Sequence, residues 1–229
     1  MPRPQKIHTL CEEGNLKAVQ KYLEEGGEPD ALGPKLRTPL HMAVKGNHVE
    51  IARELIKAGA DIEARTAYKF TPLHIAAFYG SCNALNLLVN EYETNIEAVC
   101  FGAWRPLHYA CNYGHEECAK LLAEKGAKLS PKSAELGYAP LHFAARSGSL
   151  EAVEVLLSKG CNPNQRNVLQ STPLHLAAQN DQVKVVEALL RAGAQPDAPD
   201  EAGITPIRFT KNKEVMDLLR TAEKAPPSK

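Results

Sequence analysis

Prolines at positions 39, 72, 106, 140, 173 and 206 sit in one short motif that returns every 33 or 34 residues along this 229-residue chain. Its copies read Thr38-Pro39-Leu40-His41, Thr71-Pro72-Leu73-His74, Arg105-Pro106-Leu107-His108, Ala139-Pro140-Leu141-His142, Thr172-Pro173-Leu174-His175 and Thr205-Pro206-Ile207-Arg208. A segment of that length cannot bury its own apolar face. Self-similarity at this period therefore predicts stacked repeats, each completed by its neighbours, rather than a globular core.

Within each repeat, Thr is a natural N-cap whose hydroxyl accepts from a first-turn amide, and Pro at the next position needs no amide donor. A helix is expected to start at Pro. The residues that follow, such as Leu73, Ala76 and Ala77 or Leu174, Ala177 and Ala178, share one helical face, where alanines let neighbouring helices approach closely. Tyr79-Gly80, Tyr113-Gly114 and Ser147-Gly148 break the pattern with a glycine suited to the left-handed end of a helix. A second, more apolar helix follows, seen in Val49, Ala52, Leu55 and Ile56 and in Leu150, Val153, Leu156 and Leu157. After Gly59-Ala60-Asp61, Gly126-Ala127-Lys128, Gly160-Cys161-Asn162 and Gly193-Ala194-Gln195 come roughly ten mixed residues, the length of a loop or hairpin.

Helix, turn, helix and protruding hairpin, opened by Thr-Pro-Leu-His, resemble the ankyrin-repeat family, and the resemblance covers nearly the whole chain. It implies an all-α fold, an ankyrin-repeat solenoid of helix-turn-helix units with protruding β-hairpin loops. The expected organisation is a flexible N-terminus over 1–5, a single domain over 6–222 and a disordered tail over 223–229. Inside the domain lie an N-cap repeat at about 6–34, full repeats at about 35–67, 68–101, 102–135, 136–168 and 169–201, and a C-cap repeat at about 202–222. The first keeps the two-helix pattern, with Gly14-Asn15 at its turn, but lacks Thr-Pro and is expected to expose Lys6, His8, Glu12 and Glu13. The last carries Arg208 in place of His and shortens its helices. Terminal repeats need a polar outer face to stay in solution.

Basic and acidic residues number 27 each, for a formal charge of zero, so no general attraction to nucleic acid or to an anionic membrane is expected. Met1 to Lys6 contain no apolar signal segment, and no run approaches the roughly 18 apolar residues of a membrane span. These observations predict a cytoplasmic or nuclear protein without direct membrane insertion. In that setting Cys11, Cys82, Cys100, Cys111, Cys118 and Cys161 are expected as free thiols.

Five motif histidines invite a metal reading, but equivalent residues of stacked repeats lie roughly 8 to 10 Å apart, too far to share one ion. The resemblance implies instead that each imidazole bonds backbone near the next hairpin and ties repeats together. His115-Glu116-Glu117-Cys118 lacks the second histidine of a metalloprotease helix, since position 119 is Ala119. Cys111 and Cys118 are not in CxxC spacing. No phosphate loop or Gly-x-Ser-x-Gly elbow occurs. The expectation is no catalysis, no metal and no cofactor.

The informative departures are aromatic. Two residues before each motif proline stand Arg37, Phe70, Trp104, Tyr138, Ser171 and Ile204, and before the inter-helix turn stand Lys45-Gly46, Phe78-Tyr79, Asn112-Tyr113, Arg146-Ser147 and Gln179-Asn180. The resemblance implies that both sets face partners on the concave side. With Tyr68 and Phe101 from the hairpin tips, they predict an aromatic strip of Tyr68, Phe70, Phe78, Tyr79, Phe101, Trp104, Tyr113 and Tyr138. Trp104, Tyr79, Tyr113 and Tyr138 are the expected anchors, with Arg105, Arg146 and Asn112 as polar contacts. Exposed aromatics cost solubility unless used, and Trp, Tyr and Arg are common binding hot spots. The competing reading packs several of these rings, Phe70 and Phe101 foremost, between hairpins as intramolecular core. Arg105 and Ala139 also replace the capping Thr, a loss of about 1 kcal/mol each, and uncompensated breaches of local rules draw attention to the centre.

The expected function is a non-catalytic protein–protein interaction module, an adaptor or inhibitor, that binds another protein as a monomer and binds no nucleic acid. A two-surface scaffold recruiting two proteins is the alternative, and a small enzyme a more distant one. The resemblance also implies one modification: Leu156 and Asn164 stand at the spacing at which ankyrin-repeat asparagines are hydroxylated.

Overall fold

The computed structural model describes residues 4–224 and, of side chains, those from residue 7 onward. Every regular element among the described residues is helical, and none is a strand. Spatial contacts group the chain into two compact units, Met1–Phe101 and Gly102–Lys229. The first holds α1 (Pro4–Glu13), α2 (Leu16–Glu24), α3 (Pro39–Lys45), α4 (Val49–Lys57), α5 (Pro72–Tyr79) and α6 (Cys82–Glu91). The second holds α7 (Pro106–Asn112), α8 (Glu116–Glu124), α9 (Pro140–Ser147), α10 (Leu150–Ser158), α11 (Pro173–Gln179), α12 (Val183–Arg191) and α13 (Lys213–Lys224). In its last repeat a 3-10 turn, Pro206–Phe209, replaces the inner helix. Of the ends expected to be flexible, residues 4–5 and 223–224 belong to α1 and α13, and residues 1–3 and 225–229 lie outside the described residues.

Two rows of helices build each unit. In the first, α1, α3 and α5 pack in one row and α2, α4 and α6 in the other; in the second, α7, α9, α11 and the 3-10 turn face α8, α10, α12 and α13. Small residues set the inner row: Ala43, Ala76, Ala77, Ala110, Ala144, Ala145, Ala177 and Ala178 are wholly buried. The motif leucines Leu40, Leu73, Leu107, Leu141 and Leu174 are buried beside them, each worth about 1.5 to 3 kcal/mol of transfer free energy.

Each inner helix begins at its motif proline, after a residue in extended conformation such as Thr71 (φ −86°, ψ 166°) or Arg105 (φ −111°, ψ 165°). The main-chain N–H of that residue donates to Nδ1 of the motif histidine at 3.0 to 3.3 Å in all five repeats. Thr38, Thr71 and Thr172 bring their hydroxyls to the same Nδ1 at 2.9 Å. Only Thr71 also accepts from a helix amide, at 3.4 Å. The hydroxyl therefore serves the imidazole more than the first turn, which corrects the simple capping expectation. Arg105 and Ala139 lack the hydroxyl yet keep the main-chain bond to the imidazole, which all five repeats share.

With Nδ1 accepting, Nε2 carries the proton and donates onward. His41, His142 and His175 reach the carbonyls of Phe70, Ser171 and Ile204 at 3.1, 3.2 and 3.1 Å, each 29 residues ahead. His108 reaches Pro131 at 2.9 Å. His8 makes the same 29-residue reach, to Arg37 O at 2.8 Å, and is buried rather than exposed. It occupies the tying position of the first repeat although the Thr-Pro start is absent. Of its expected exposed neighbours, Glu13 is exposed, Glu12 is half-buried against Lys45, and the Lys6 side chain lies outside the described residues.

The loops between repeats turn back on themselves without forming strands. Single backbone bonds close them, from Gly33 to Arg37 O, Thr66 to Phe70 O, Asn167 to Ser171 O and Asp200 to Ile204 O, at 2.8 to 3.1 Å. The 130–135 loop closes one residue wider, from Ser133 to Tyr138 O at 3.0 Å. Four or five residues leave no room for a ladder. The residue three before each motif proline adopts a left-handed conformation: Leu36, Lys69, Ala103, Gly137, Gln170 and Gly203, with φ between 56° and 76°. Only two are glycines, so the others accept roughly 1 kcal/mol of strain each to close the turn.

Cys11, Cys100, Cys111 and Cys161 are free and buried. Burial pushes the Cys11 thiol up to about 12 and that of Cys161 up to about 11, and it raises Cys111 as well. Such thiols are poor nucleophiles. Cys82 and Cys118 differ from expectation: both are disulfide-bonded. The free-thiol expectation rested on compartment, which governs whether a thiol stays reduced and not where the fold places it.

Candidate functional site

In the first unit the aromatic residues form a connected ladder. Tyr68 meets Phe70 (ring centroids 6.4 Å), Phe70 meets Phe78 (6.3 Å), and Phe78 meets Tyr79 (4.9 Å). Phe70 is also stacked on the motif imidazole of His74 at 5.7 Å. The middle of the ladder is half-buried, whereas its ends, Tyr68 and Tyr79, are 49% and 41% exposed. Phe101, proposed by the competing reading as core, is 56% exposed. Each exposed ring carries an ammonium group: Lys35 Nζ lies 5.5 Å from the Tyr68 centroid, Lys45 Nζ 5.3 Å from Tyr79 and Lys69 Nζ 5.1 Å from Phe101. Such contacts contribute about 0.5 to 1 kcal/mol at exposed positions.

The second unit treats its aromatics differently. Trp104 is half-buried and packs on Phe143 at 4.4 Å and on Tyr109 at 4.8 Å. Tyr138 stacks on His142 at 5.6 Å and meets Phe143 edge-on at 5.3 Å. Arg146 lies over both Tyr138 and Phe143, 5.8 and 5.2 Å from their centroids, and donates to Asn112 Oδ1. Arg105 is half-buried at the start of α7. Tyr113 alone of this group is strongly exposed, at 48%, beside His115. Four of the six residues expected as contacts here, Trp104, Asn112, Tyr138 and Arg146, are thus engaged with one another or with Phe143, a ring wholly inside the unit. The competing core reading suits Trp104 and Tyr138 better than the Phe101 it was first applied to.

The motif histidines are spent on structure. Both ring nitrogens of His41, His108, His142 and His175 are hydrogen-bonded. Burial, above all, lowers their affinity for a proton: His41, His108 and His142 fall to about 4, and His175 is lowered too. They are neutral at pH 7 and have no lone pair left for a metal. Among the described residues no three His, Cys, Asp or Glu side chains converge on one point, and no helix is long and apolar enough to cross a membrane. Asn164 uses its side-chain amide at both ends, donating to Gly193 O at 2.9 Å and accepting from Gln195 N at 2.8 Å.

Sequence reasoning passed over Lys35 and Lys69, and named Lys45 only within the pair before the inter-helix turn. Their signal was present: segments 31–46 and 64–80 contain Lys35, Arg37, Lys45, Arg65 and Lys69 and no Asp or Glu. Next to Lys35 a cleft of ≈ 330 Å³ opens, lined by His8, Thr9, Glu12, Pro34, Arg37 and Met42. A larger hollow of ≈ 650 Å³ beside α13 is lined by Lys213, Glu214, Asp217, Leu218, Thr221 and Ala222.

Comparison with known proteins gives a consistent picture. The family model for ankyrin repeats in three copies matches residues 7–100, 94–167 and 136–200. The chain is similar to NF-kappa-B inhibitor alpha of Gallus gallus, with 46% identity over 52 residues, which is 23% of this chain and only 16% of that protein's length. Among solved structures it resembles the ankyrin repeat domain of human ASB11, with 27% identity and a TM-score of 0.87 over 96% of this chain and 98% of that one. It also resembles the ankyrin repeat domain of Bcl-3, described as a unique member of the IkappaB protein family, with 29% identity and a TM-score of 0.76 over 93% and 97% of the two chains.

Proposed function

For a chain that belongs to the ankyrin-repeat family, whose repeats are protein-binding modules, we propose a non-catalytic adaptor or inhibitor that captures another protein on its fingertip and inner-helix side. The observation that carries this reading is the exposure of Tyr68, Tyr79, Phe101 and Tyr113, four large aromatic rings each at least 41% accessible. Aromatic anchors of that kind dominate binding energies elsewhere. Because stitched turns and bonded imidazoles already hold the presenting backbone, little conformational entropy is lost on docking. The similarity to an NF-kappa-B inhibitor and to a Bcl-3 domain supports an inhibitor or adaptor role over catalysis. The proposed setting is cytoplasmic or nuclear, with the chain acting as a monomer.

Trp104, Tyr138, Asn112 and Arg146 serve in this reading as the support behind the contact surface. The test is capture of partners from the native cell by the double variant Tyr79→Ala/Tyr113→Ala. Loss of the captured proteins with unchanged helical circular dichroism is expected; capture equal to that of the native chain contradicts the placement of the surface.

A further inference from the structure

The fingertips of the first unit alternate cation and ring. Lys35 covers Tyr68 and Lys69 covers Phe101, and the loops bearing them are tied by backbone bonds from Ala67 N to Lys35 O (2.8 Å) and from Phe101 N to Tyr68 O (3.4 Å). Both lysines are exposed and sit at left-handed turn positions with φ 61°. Of the five basic residues in segments 31–46 and 64–80, Lys45 alone is ion-paired among the described residues, with Glu12 at 2.5 Å. The carboxylates of this unit gather instead in α1, α2, α4 and α6 and in the segments that follow the last three. A chain of zero formal charge thus presents one face that is basic and aromatic, on which Lys45 is paired with Glu12 while Lys35 and Lys69 have no carboxylate within ion-pair reach among the described residues.

We propose that this face holds an extended acidic peptide segment of a protein partner, an assignment that rests on the protein-binding reading above. Carboxylates of the segment pair with the Lys35 and Lys69 ammonium groups, and its apolar side chains cover Tyr68, Tyr79 and Phe101. Consecutive repeats lie roughly 8 to 10 Å apart, about three residues of extended chain at about 3.3 Å each. The matching sequence therefore carries Asp or Glu at intervals of about three, with Leu, Ile or Phe between. The cleft lined by Pro34, Met42 and Arg37 together with His8, Thr9 and Glu12 accepts one of these apolar groups, the Glu12 carboxylate being paired with Lys45. A peptide is favoured over a nucleic acid because the balanced overall charge supplies no long-range field for a polyanion, and because one face of each ring is already covered by an ammonium group rather than open to a base.

The proposal is tested by panning a random peptide library on the purified full chain and titrating the enriched peptides by fluorescence anisotropy. Enrichment of Asp and Glu together with Leu, Ile or Phe is expected. Lys35→Glu/Lys69→Glu should weaken binding at least about tenfold with unchanged circular dichroism, and about 0.5 M NaCl should weaken it for the native chain. Neutral or basic consensus peptides, or acidic ones indifferent to the lysine pair, overturn the assignment. Peptides lost with Tyr79→Ala but not with the lysine pair leave the protein-binding surface standing and remove its acidic preference; peptides indifferent to all three changes remove both. A fluorescein-labelled DNA oligonucleotide that binds more tightly than the peptides and is released by the lysine changes also overturns it, making the face a phosphate-binding one.

Discussion

Phe70 and Trp104 occupy the same position of consecutive repeats, two residues before the motif proline, yet they do different work in the two units. In the first, the residue after the motif histidine is Ile75, and Phe70 joins a ladder whose ends, Tyr68 and Tyr79, emerge at the surface. In the second, Tyr109 follows the motif histidine of Trp104's own repeat and Phe143 that of the next; both are buried, Trp104 packs on both, and Tyr138 and Arg146 join it on Phe143. Around Trp104 these buried rings build a packed cluster. Residue type at a repeat position is therefore a weaker guide to a binding surface than what the next helix places opposite it.

Acidification should erase the contrast, and it carries the largest expected effect. His41 in the first unit and His108 and His142 in the second have proton affinities lowered to about 4, against 6.5 in the unfolded chain. Their neutral form supports the fold, so that contribution is complete above pH 6.5 and is lost as the pH falls from 6.5 toward 4, where the unfolded chain binds protons the folded one refuses. Urea titrations across that window should show both units losing stability, by several kcal/mol in total, on the order of what such shifts imply. A midpoint unchanged between pH 7 and about 4.5 contradicts the role assigned to the imidazoles.

Single substitutions should separate the units again. Trp104→Ala empties a ring site packed against Phe143 and Tyr109 and is expected to cost about 3 kcal/mol by urea denaturation. Phe101→Ala removes a ring that is mostly in water and covered only by Lys69, so its cost should stay below about 1 kcal/mol. Equal costs for the two changes remove the distinction between support and surface.

Much of the architecture was legible from the motif alone. The inner helices start at Pro39, Pro72, Pro106, Pro140 and Pro173 as the period requires, and the imidazoles tie neighbouring repeats together. What the period could not reveal was which bonds survive where the motif degenerates. Arg105 and Ala139 lack the hydroxyl of a cap, yet their own N–H still reaches the motif imidazole as it does in the Thr copies. His8 looks exposed in a degenerate first repeat until its 29-residue reach to Arg37 appears. The aromatic residues were legible as a set but not as individuals, because exposure depends on partners such as Phe143 that lie in a different repeat. The lysines over the rings went unread because a balanced total charge hides two acid-free segments.

The most direct test is hydroxyl-radical footprinting of the aromatic side chains in the free protein and in its complex with a captured partner, each rate normalised to the intrinsic reactivity of its residue type. Tyr68, Tyr79, Phe101 and Tyr113 should oxidise readily when free and be protected in the complex, while Trp104, Tyr138 and Phe143 react slowly in both. Rapid oxidation of Trp104 in the free protein that is quenched by the partner, with Tyr79 and Phe101 unaffected, contradicts the division between supporting and contacting rings.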